Sequence, residues 1–393
     1  MMFRQPKPLL LRSLLALSII ASSAIAHSSA RAEDWQLAAK ISQQGVWSSN
    51  PLMKTGDVSS LYGSTTSPEL SLQNNYQDLK TNVTGKISQH LFNDSEFSTT
   101  DLHQTANIEK NAQRWTASIR ESFDYDTTRT SETTNYGLSS RAIRHTGFAL
   151  TPKATYQLSP IKELSVSGTA RYSKYDATSL SDYKTYSATA SYLQYVDPNN
   201  ALFVNASAQR YKTTSNTPVK IDSMGPAIGW QTVISPQVTA SLSVGAQTSK
   251  QHIYGIAVTE WEWDYTMAGK ISYKGESNEA SFDMTREQTP HSNGTEALQT
   301  SYSLSVKHNI NANLAANVAA TYKKASYPAD TSGNLDNAAS ARVGSEYKLT
   351  DTLSLATSYT YRYETLVNRQ KPALDHSVRI SLSFSPNPWT LFQ

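Results

Sequence analysis

Apolar and polar residues alternate at period two along nearly the whole chain from Trp35 onward. In residues 353–363, for example, an apolar or aromatic set led by Leu353 and Leu355 is interleaved with Ser354, Ala356 and Ser358. Such alternation places one set of side chains on each face of a β-strand. No stretch after residue 32 fits the helical period of 3.6 better, so the pattern predicts an all-β protein.

The alternation divides the chain into about eighteen segments, each close to the 9–11 residues that a tilted strand needs to cross a bilayer. The segments around Ala106 and Phe282 are the weakest, so about sixteen strands is the alternative count. The predicted strands centre near Ala39, Leu72, Ile87, Ala106, Ile119, Ala154, Ala170, Ala190, Ala206, Ile228, Leu242, Met267, Phe282, Leu304, Ala316, Val343, Leu355 and Ile380.

The connections between these segments alternate between short and long. Short links such as 159–162, 197–200 and 235–237 carry Pro, Asp and Asn, which are typical of tight turns, whereas 50–66, 130–141 and 251–260 are longer. A soluble β-sandwich has no reason to sort its loops in this way. The chain is therefore predicted to be a transmembrane antiparallel β-barrel with short periplasmic turns and longer extracellular loops.

The first residues have the layout of a secretory signal peptide. Arg4 and Lys7 precede the apolar stretch Leu9–Ala21, and Ala30-Arg31-Ala32 forms an A-x-A cleavage pattern. We predict a cleaved signal peptide at 1–32, an outer-membrane barrel at 33–385 and a C-terminal tail at 386–393. Removing residues 1–32 changes the formal charge from +3 to −1, so no electrostatic argument for nucleic-acid binding remains.

The composition of the chain agrees with a barrel and excludes several other classes. The 393 residues are 38% hydrophobic and 17% charged, with no cysteine. Hydrophobicity this modest is expected where only one face of each strand contacts lipid and the other faces water. The lack of cysteine excludes a disulfide scaffold, a zinc ribbon and a thiol enzyme.

If the apolar face contacts lipid, the opposite face turns ionisable side chains into the lumen, where water or a partner can satisfy them. Such a lumen is either a wet pore of mixed charge or a plugged barrel with structural ion pairs, and both remain open here. Glu121 is an exception, because it falls on the lipid face. The candidate pore-lining residues are Lys86, Arg120, Asp124, Lys153, Arg171, Asp264, Lys270, Lys307, Lys323, Arg342, Glu346, Arg362 and Arg379.

Sequence motifs for catalysis or cofactor binding are missing. The histidines show no metal-ligand spacing, and no nucleophile elbow, phosphate loop or dinucleotide fingerprint occurs. His90 and His103 lie on neighbouring predicted strands with Asp101 between them, and polar hairpin residues account for this group better than a hydrolase site does. We therefore predict no enzyme, no cofactor and no metal site.

Several segments carry a family resemblance. They include Gly63-Ser64-Thr65-Thr66-Ser67-Pro68 entering a strand, Phe92-Asn93-Asp94-Ser95-Glu96, and the stretch Asp124–Glu132 after a strand. Together these segments resemble the bacterial outer-membrane β-barrel porin proteins found with exopolysaccharide export and exosortase-type gene clusters. The resemblance implies a barrel that partners polysaccharide export proteins amid outer-membrane lipid and lipopolysaccharide. It supplies no catalytic residues.

The resulting hypothesis is a porin-like passive channel that takes part in extracellular polysaccharide export or assembly. The alternative is a sealed structural barrel that anchors a periplasmic or secretion complex. The C-terminus departs from the usual barrel ending, because Pro386 and Pro388 follow Phe384. Since proline cannot continue a ladder, we expect the tail to tuck into the lumen or Phe392 to serve as the closing residue.

Overall fold

The wall of the protein is a single antiparallel sheet of eighteen strands, with a short nineteenth strand at the C-terminus. The computed structural model describes residues 35–76, 78–128, 142–177, 180–214, 218–253, 261–290, 296–326, 335–366 and 371–391. The strands are β1 Trp35–Ser48, β2 Leu61–Tyr76, β3 Leu79–Phe92, β4 Thr100–Asn111, β5 Trp115–Thr127, β6 Arg144–Ser159, β7 Lys162–Tyr175, β8 Tyr183–Asp197, β9 Asn200–Thr213, β10 Val219–Ser235, β11 Val238–Ile253, β12 Glu262–Lys274, β13 Asn278–Pro290, β14 Glu296–Asn309, β15 Leu314–Ser326, β16 Leu335–Lys348, β17 Leu353–Leu366, β18 Ala373–Phe384 and β19 Trp389–Leu391.

The sheet closes on itself between the first and last wall strands. Each strand pairs with its neighbours in the chain, and β1 pairs with both β2 and β18. Closure removes the two free edges that an open sheet would expose to hydrocarbon. The weak segments around Ala106 and Phe282 form the full strands β4 and β13, so the alternative of sixteen strands is wrong.

The C-terminal tail behaves differently from the sequence-based expectation. Residues 385–388, which include both prolines, form no ladder, but Trp389–Leu391 then pairs with Trp35–Leu37 of β1. The expectation that the tail enters the lumen is wrong for these residues, because the prolines interrupt the strand locally and pairing resumes beyond them. The signal peptide and Phe392 lie outside the described residues.

The two faces of the wall differ as the alternation predicts. Large apolar side chains such as Ile87, Ile119 and Val166 are exposed on the outer face. Trp47, Trp115 and other aromatic residues share this outer face near the strand ends, where aromatic girdles of membrane barrels lie. No helix among the described residues is long and apolar enough to cross a membrane.

Short and long connections lie at opposite ends of the barrel. The turns at 160–161, 198–199 and 236–237 are on one side, together with a short link that the sequence did not reveal, at 275–277. The longer connections 49–60 and 93–99 are on the other side. The predicted loop at 130–141 lies outside the described residues. This sorting defines a periplasmic end and an extracellular end.

The wall is weakened at one seam. Strands β12 and β13 pair only from Met267 and Arg286 toward the periplasmic turn, so residues 262–266 have no partner on β13. Arg286 spans this seam: its guanidinium lies 4.2 Å from the centre of the Tyr265 ring, and its Nη1 donates to Thr300 Oγ1 at 3.1 Å. The cation–π contact to Tyr265 thus bridges part of the missing ladder, whereas the hydrogen bond to Thr300 joins β13 to β14.

Candidate functional site

The candidate site is the lumen, and the register determines which side chains point into it. Ile119 and Phe123 lie on the outer face of β5, so Arg120 and Asp124 face inward, whereas Glu121 faces lipid. The same parity places every candidate pore-lining residue on the inner face of its strand. Whether these residues line an open pathway depends on what fills the lumen.

Most of these inward side chains are accessible to solvent. Nine are exposed, namely Arg120, Lys153, Arg171, Asp264, Lys270, Lys307, Arg342, Glu346 and Arg379. The other four, Lys86, Asp124, Lys323 and Arg362, are half-buried. Because most of these side chains are accessible to solvent, water stabilises their charges at membrane depth. The wall around them is held by extensive contacts between neighbouring strands.

Ionisable side chains follow one another from strand to strand along the inner wall of β1–β5. Lys40, Glu69, Lys86, His103 and Asp124 are successive cross-strand partners. The imidazole Nδ1 of His103 lies 2.8 Å from Asp124 Oδ1. On the opposite wall, Lys270 and Asp283 form an ion pair at 3.0 Å. All of these pairs join adjacent strands, so they follow the wall and do not cross the bore.

A buried carboxylate fixes the first extracellular loop at the rim of the lumen. Asp375, which is 0% exposed, accepts hydrogen bonds from Ser48 Oγ at 2.7 Å and from the Asn50 backbone N–H at 2.8 Å. Arg362 donates from Nε and Nη2 to the other carboxylate oxygen at 3.0 and 2.8 Å. The predicted lumenal Arg362 therefore serves as an anchor for the loop after β1.

An aromatic cluster covers the inner wall of β6–β10 at the extracellular end. His145 binds Asp126 at 2.9 Å and packs on Tyr175, which is followed by Tyr183 and Tyr211 at ring distances of 6.5 and 5.4 Å. All three tyrosines are buried. The sequence-based interpretation missed this cluster. Tyr175 could have been assigned to the inner face, because it is an odd-numbered position of β7 and the even-numbered positions of that strand face outward.

The two histidines considered for catalysis do not form a common site. His90 Nδ1 bonds Thr65 Oγ1 at 2.9 Å, and its Nε2 lies 3.2 Å from Asp101, whereas His103 binds Asp124. Thr65, His90 and Asp101 are all buried, so no substrate reaches the hydroxyl, and the group is a structural network at the rim. Among the described residues, no three His, Asp or Glu side chains are grouped to hold a metal ion.

Comparisons with known proteins agree with this architecture. Residues 277–383, which span β13 to β18, match the family model described as putative beta-barrel porin 2. The crystal structure of Acinetobacter baumannii OccAB2 is similar with a TM-score of 0.50 at 10% identity, covering 90% of this chain and 98% of that chain. The outer membrane channel DcaP of the same organism gives a TM-score of 0.45 at 14% identity, covering 90% and 97%. No curated protein matches the chain.

At these identities the solved structures show the fold, and the family match covers the C-terminal third of the barrel. The likeness to OccAB2 agrees with the closed wall. The chain folds as a closed antiparallel β-barrel, and its residues 277–383 are similar to the family described as putative beta-barrel porin 2.

Proposed function

We propose that the barrel is a passive channel for hydrophilic solutes. The single observation that carries this proposal is the solvent exposure of most lumenal charges, combined with ion pairs that stay on the wall. Charges that closed the bore would pair across it and be buried, because an unpaired ion in a sealed interior is strongly unfavourable. A wet, mixed-charge interior is the arrangement that a diffusion pore needs.

We further propose that this channel takes part in extracellular polysaccharide export, with polysaccharide export proteins as its partners. The family resemblance of the sequence motivates this role. The lumen also supports it, because Ser354, Ser383 and Ser42 are successive cross-strand partners with half-buried side chains on the inner face. Such a row of hydroxyl groups both donates and accepts hydrogen bonds, as sugar hydroxyls require.

Conductance in planar bilayers tests the channel. The purified protein should give a steady current in salt solutions, and Arg342→Glu with Arg379→Glu should shift the reversal potential in a salt gradient toward cations. Lys324→Glu is the control, since Lys324 is an exposed cation on the outer face of β15. Absence of current across a range of salts contradicts the channel, and an equal shift in the control contradicts the lumenal placement.

Deletion of the gene tests the export role separately. We expect less surface polysaccharide in the deletion strain and recovery when the wild-type gene is returned. Undiminished surface polysaccharide would remove the export role and leave the conductance result unaffected.

The second candidate function is a sealed barrel that anchors a periplasmic or secretion complex. The buried Tyr175, Tyr183 and Tyr211 and the loop held by Asp375 favour it, because both add bulk at the extracellular end. A protein that folds and inserts but carries no current would support this function.

A further inference from the structure

A dense group of cations lies on the outer, lipid-facing side of the wall at the extracellular end of β8–β11. Lys184, Lys212 and Lys220 are direct cross-strand neighbours on three successive strands. Arg210 lies one outward position below Lys212, and Lys250 pairs across β10 and β11 with Asp222. We call Lys184, Arg210, Lys212, Lys220 and Lys250 the basic patch.

The basic patch is incompletely neutralised by the protein. Asp222 binds Arg210 at 2.5 Å and Lys220 at 2.7 Å, and among the described residues it is the only acid that forms an ion pair with the patch. Lys184 and Lys212 are exposed and face each other directly. Like charges placed opposite each other in a sheet destabilise it. An anionic partner from outside the protein would relieve this repulsion.

An apolar groove of about 580 Å³ lies immediately below the basic patch on the same outer face. It is lined by Met224, Pro226, Trp261 and Trp263, and Trp263 is 69% exposed. The groove and the patch are continuous, because the Lys250 ammonium lies 5.9 Å from the centre of the Trp261 ring. Cations above an apolar, aromatic groove match a molecule with a phosphorylated head and hydrocarbon chains.

The distribution of charge along the barrel favours a lipid of the outer leaflet. At the periplasmic end of the part of the barrel that the structure describes, the outward-facing cations are Lys110, which binds Asp78 at 2.5 Å, and Lys162. The concentration of cations at the extracellular end therefore points to the leaflet whose lipids carry most phosphate.

A second copy of the chain is a poorer occupant. Apart from Asp222, the carboxylate at a lipid-facing position whose side chain the structure describes is Glu121, which lies at mid-strand on β5. One carboxylate at that depth does not complement five cations at the rim.

We propose that the basic patch and the apolar groove form a binding site for one lipopolysaccharide molecule, with its glucosamine phosphates on the lysines and an acyl chain in the groove. The site lies on the outside of the wall and is independent of what passes through the lumen.

Binding of purified bis-phosphorylated lipid A to the full-length protein in detergent micelles tests the site. We expect Lys184→Gln/Lys212→Gln/Lys220→Gln to lose on the order of 100-fold in affinity, since each cation near an anionic headgroup accounts for roughly fivefold. The matched control removes three lumenal cations, Arg120→Gln/Lys153→Gln/Arg171→Gln, and should lose less than about threefold by the same reasoning.

Other probes separate the sources of binding. Dephosphorylated lipid A should bind far more weakly than lipid A, and inorganic phosphate should not compete, because it lacks the chains that occupy the groove. If the triple variant does not fold, Lys212→Gln carries the test with an expected loss of roughly fivefold, and Trp263→Gln should weaken binding by removing apolar contact in the groove. Equal binding of dephosphorylated lipid A, or an equal loss in the lumenal control, overturns the proposal.

Discussion

Replacing Asp375 with alanine should strongly destabilise the extracellular rim near the closure of the barrel. The carboxylate is fully buried, forms a two-point ion pair with Arg362, and accepts the Asn50 N–H. Removing one partner of a buried ion pair costs about 3–5 kcal/mol. An orphaned buried N–H alone costs about 1–3 kcal/mol. Because the two losses share one carboxylate, we expect a total of about 3–5 kcal/mol rather than their sum.

The assay is guanidinium unfolding of the barrel in lipid vesicles, followed by tryptophan fluorescence. Asp283→Ala is the matched control, because it breaks the Lys270 pair, whose side chains are 56% and 37% exposed. Such an exposed pair contributes about 0–1 kcal/mol. Asp375→Asn should fall between the two, since the amide oxygen still accepts from Asn50 but leaves Arg362 unpaired. Equal free energies of unfolding for Asp375→Ala and Asp283→Ala would refute the reasoning.

Three further predictions concern single positions. Glu121→Leu should raise the free energy of unfolding in bilayers by about 1–2 kcal/mol, because it removes a carboxylate from the lipid face, and a lower stability would contradict that placement. Gly63→Ala should cost about 1–3 kcal/mol in the same assay, since an added Cβ would collide with the β3 backbone, whereas Gly85→Ala has open space and should cost little. A hydrogen bond from Lys110 lowers the pKa of Asp78 in the periplasmic turn, so Asp78→Asn should lower the unfolding midpoint at neutral pH. The difference between the variant and the wild type should disappear in acid, where Asp78 becomes protonated. A difference that persists in acid would count against the ion pair.

The strand positions and their faces were predictable from sequence because both depend on alternation alone. Ile119, Arg120 and Glu121 illustrate this: parity assigns the first and third to lipid and the second to the lumen, and the register agrees. All eighteen predicted centres fall inside the strands. This success is physical, because in a membrane barrel every strand must present one face to hydrocarbon.

Features that depend on the alignment of one strand against another were not predictable. Parity puts Lys184 and Lys212 on the outer face, but only the stagger between β8 and β9 brings them opposite each other. The same holds for the approach of Asp375 to Asn50, which are far apart in the chain. The seam between β12 and β13 also follows from register and leaves no mark in the alternation of either strand.

The pairing of β1 with β18 and β19 has a consequence for assembly of the barrel. Strand β1 can complete its hydrogen bonds only after β18 and β19 have been synthesised, and Trp35–Leu37 depends on Trp389–Leu391 for part of its ladder. Until then, the sheet has two unpaired edges, whose backbone N–H and C=O groups are strongly unfavourable in hydrocarbon. Insertion into the bilayer and closure of the barrel must therefore be coupled, and loss of β19 would leave Trp35–Leu37 without these partners.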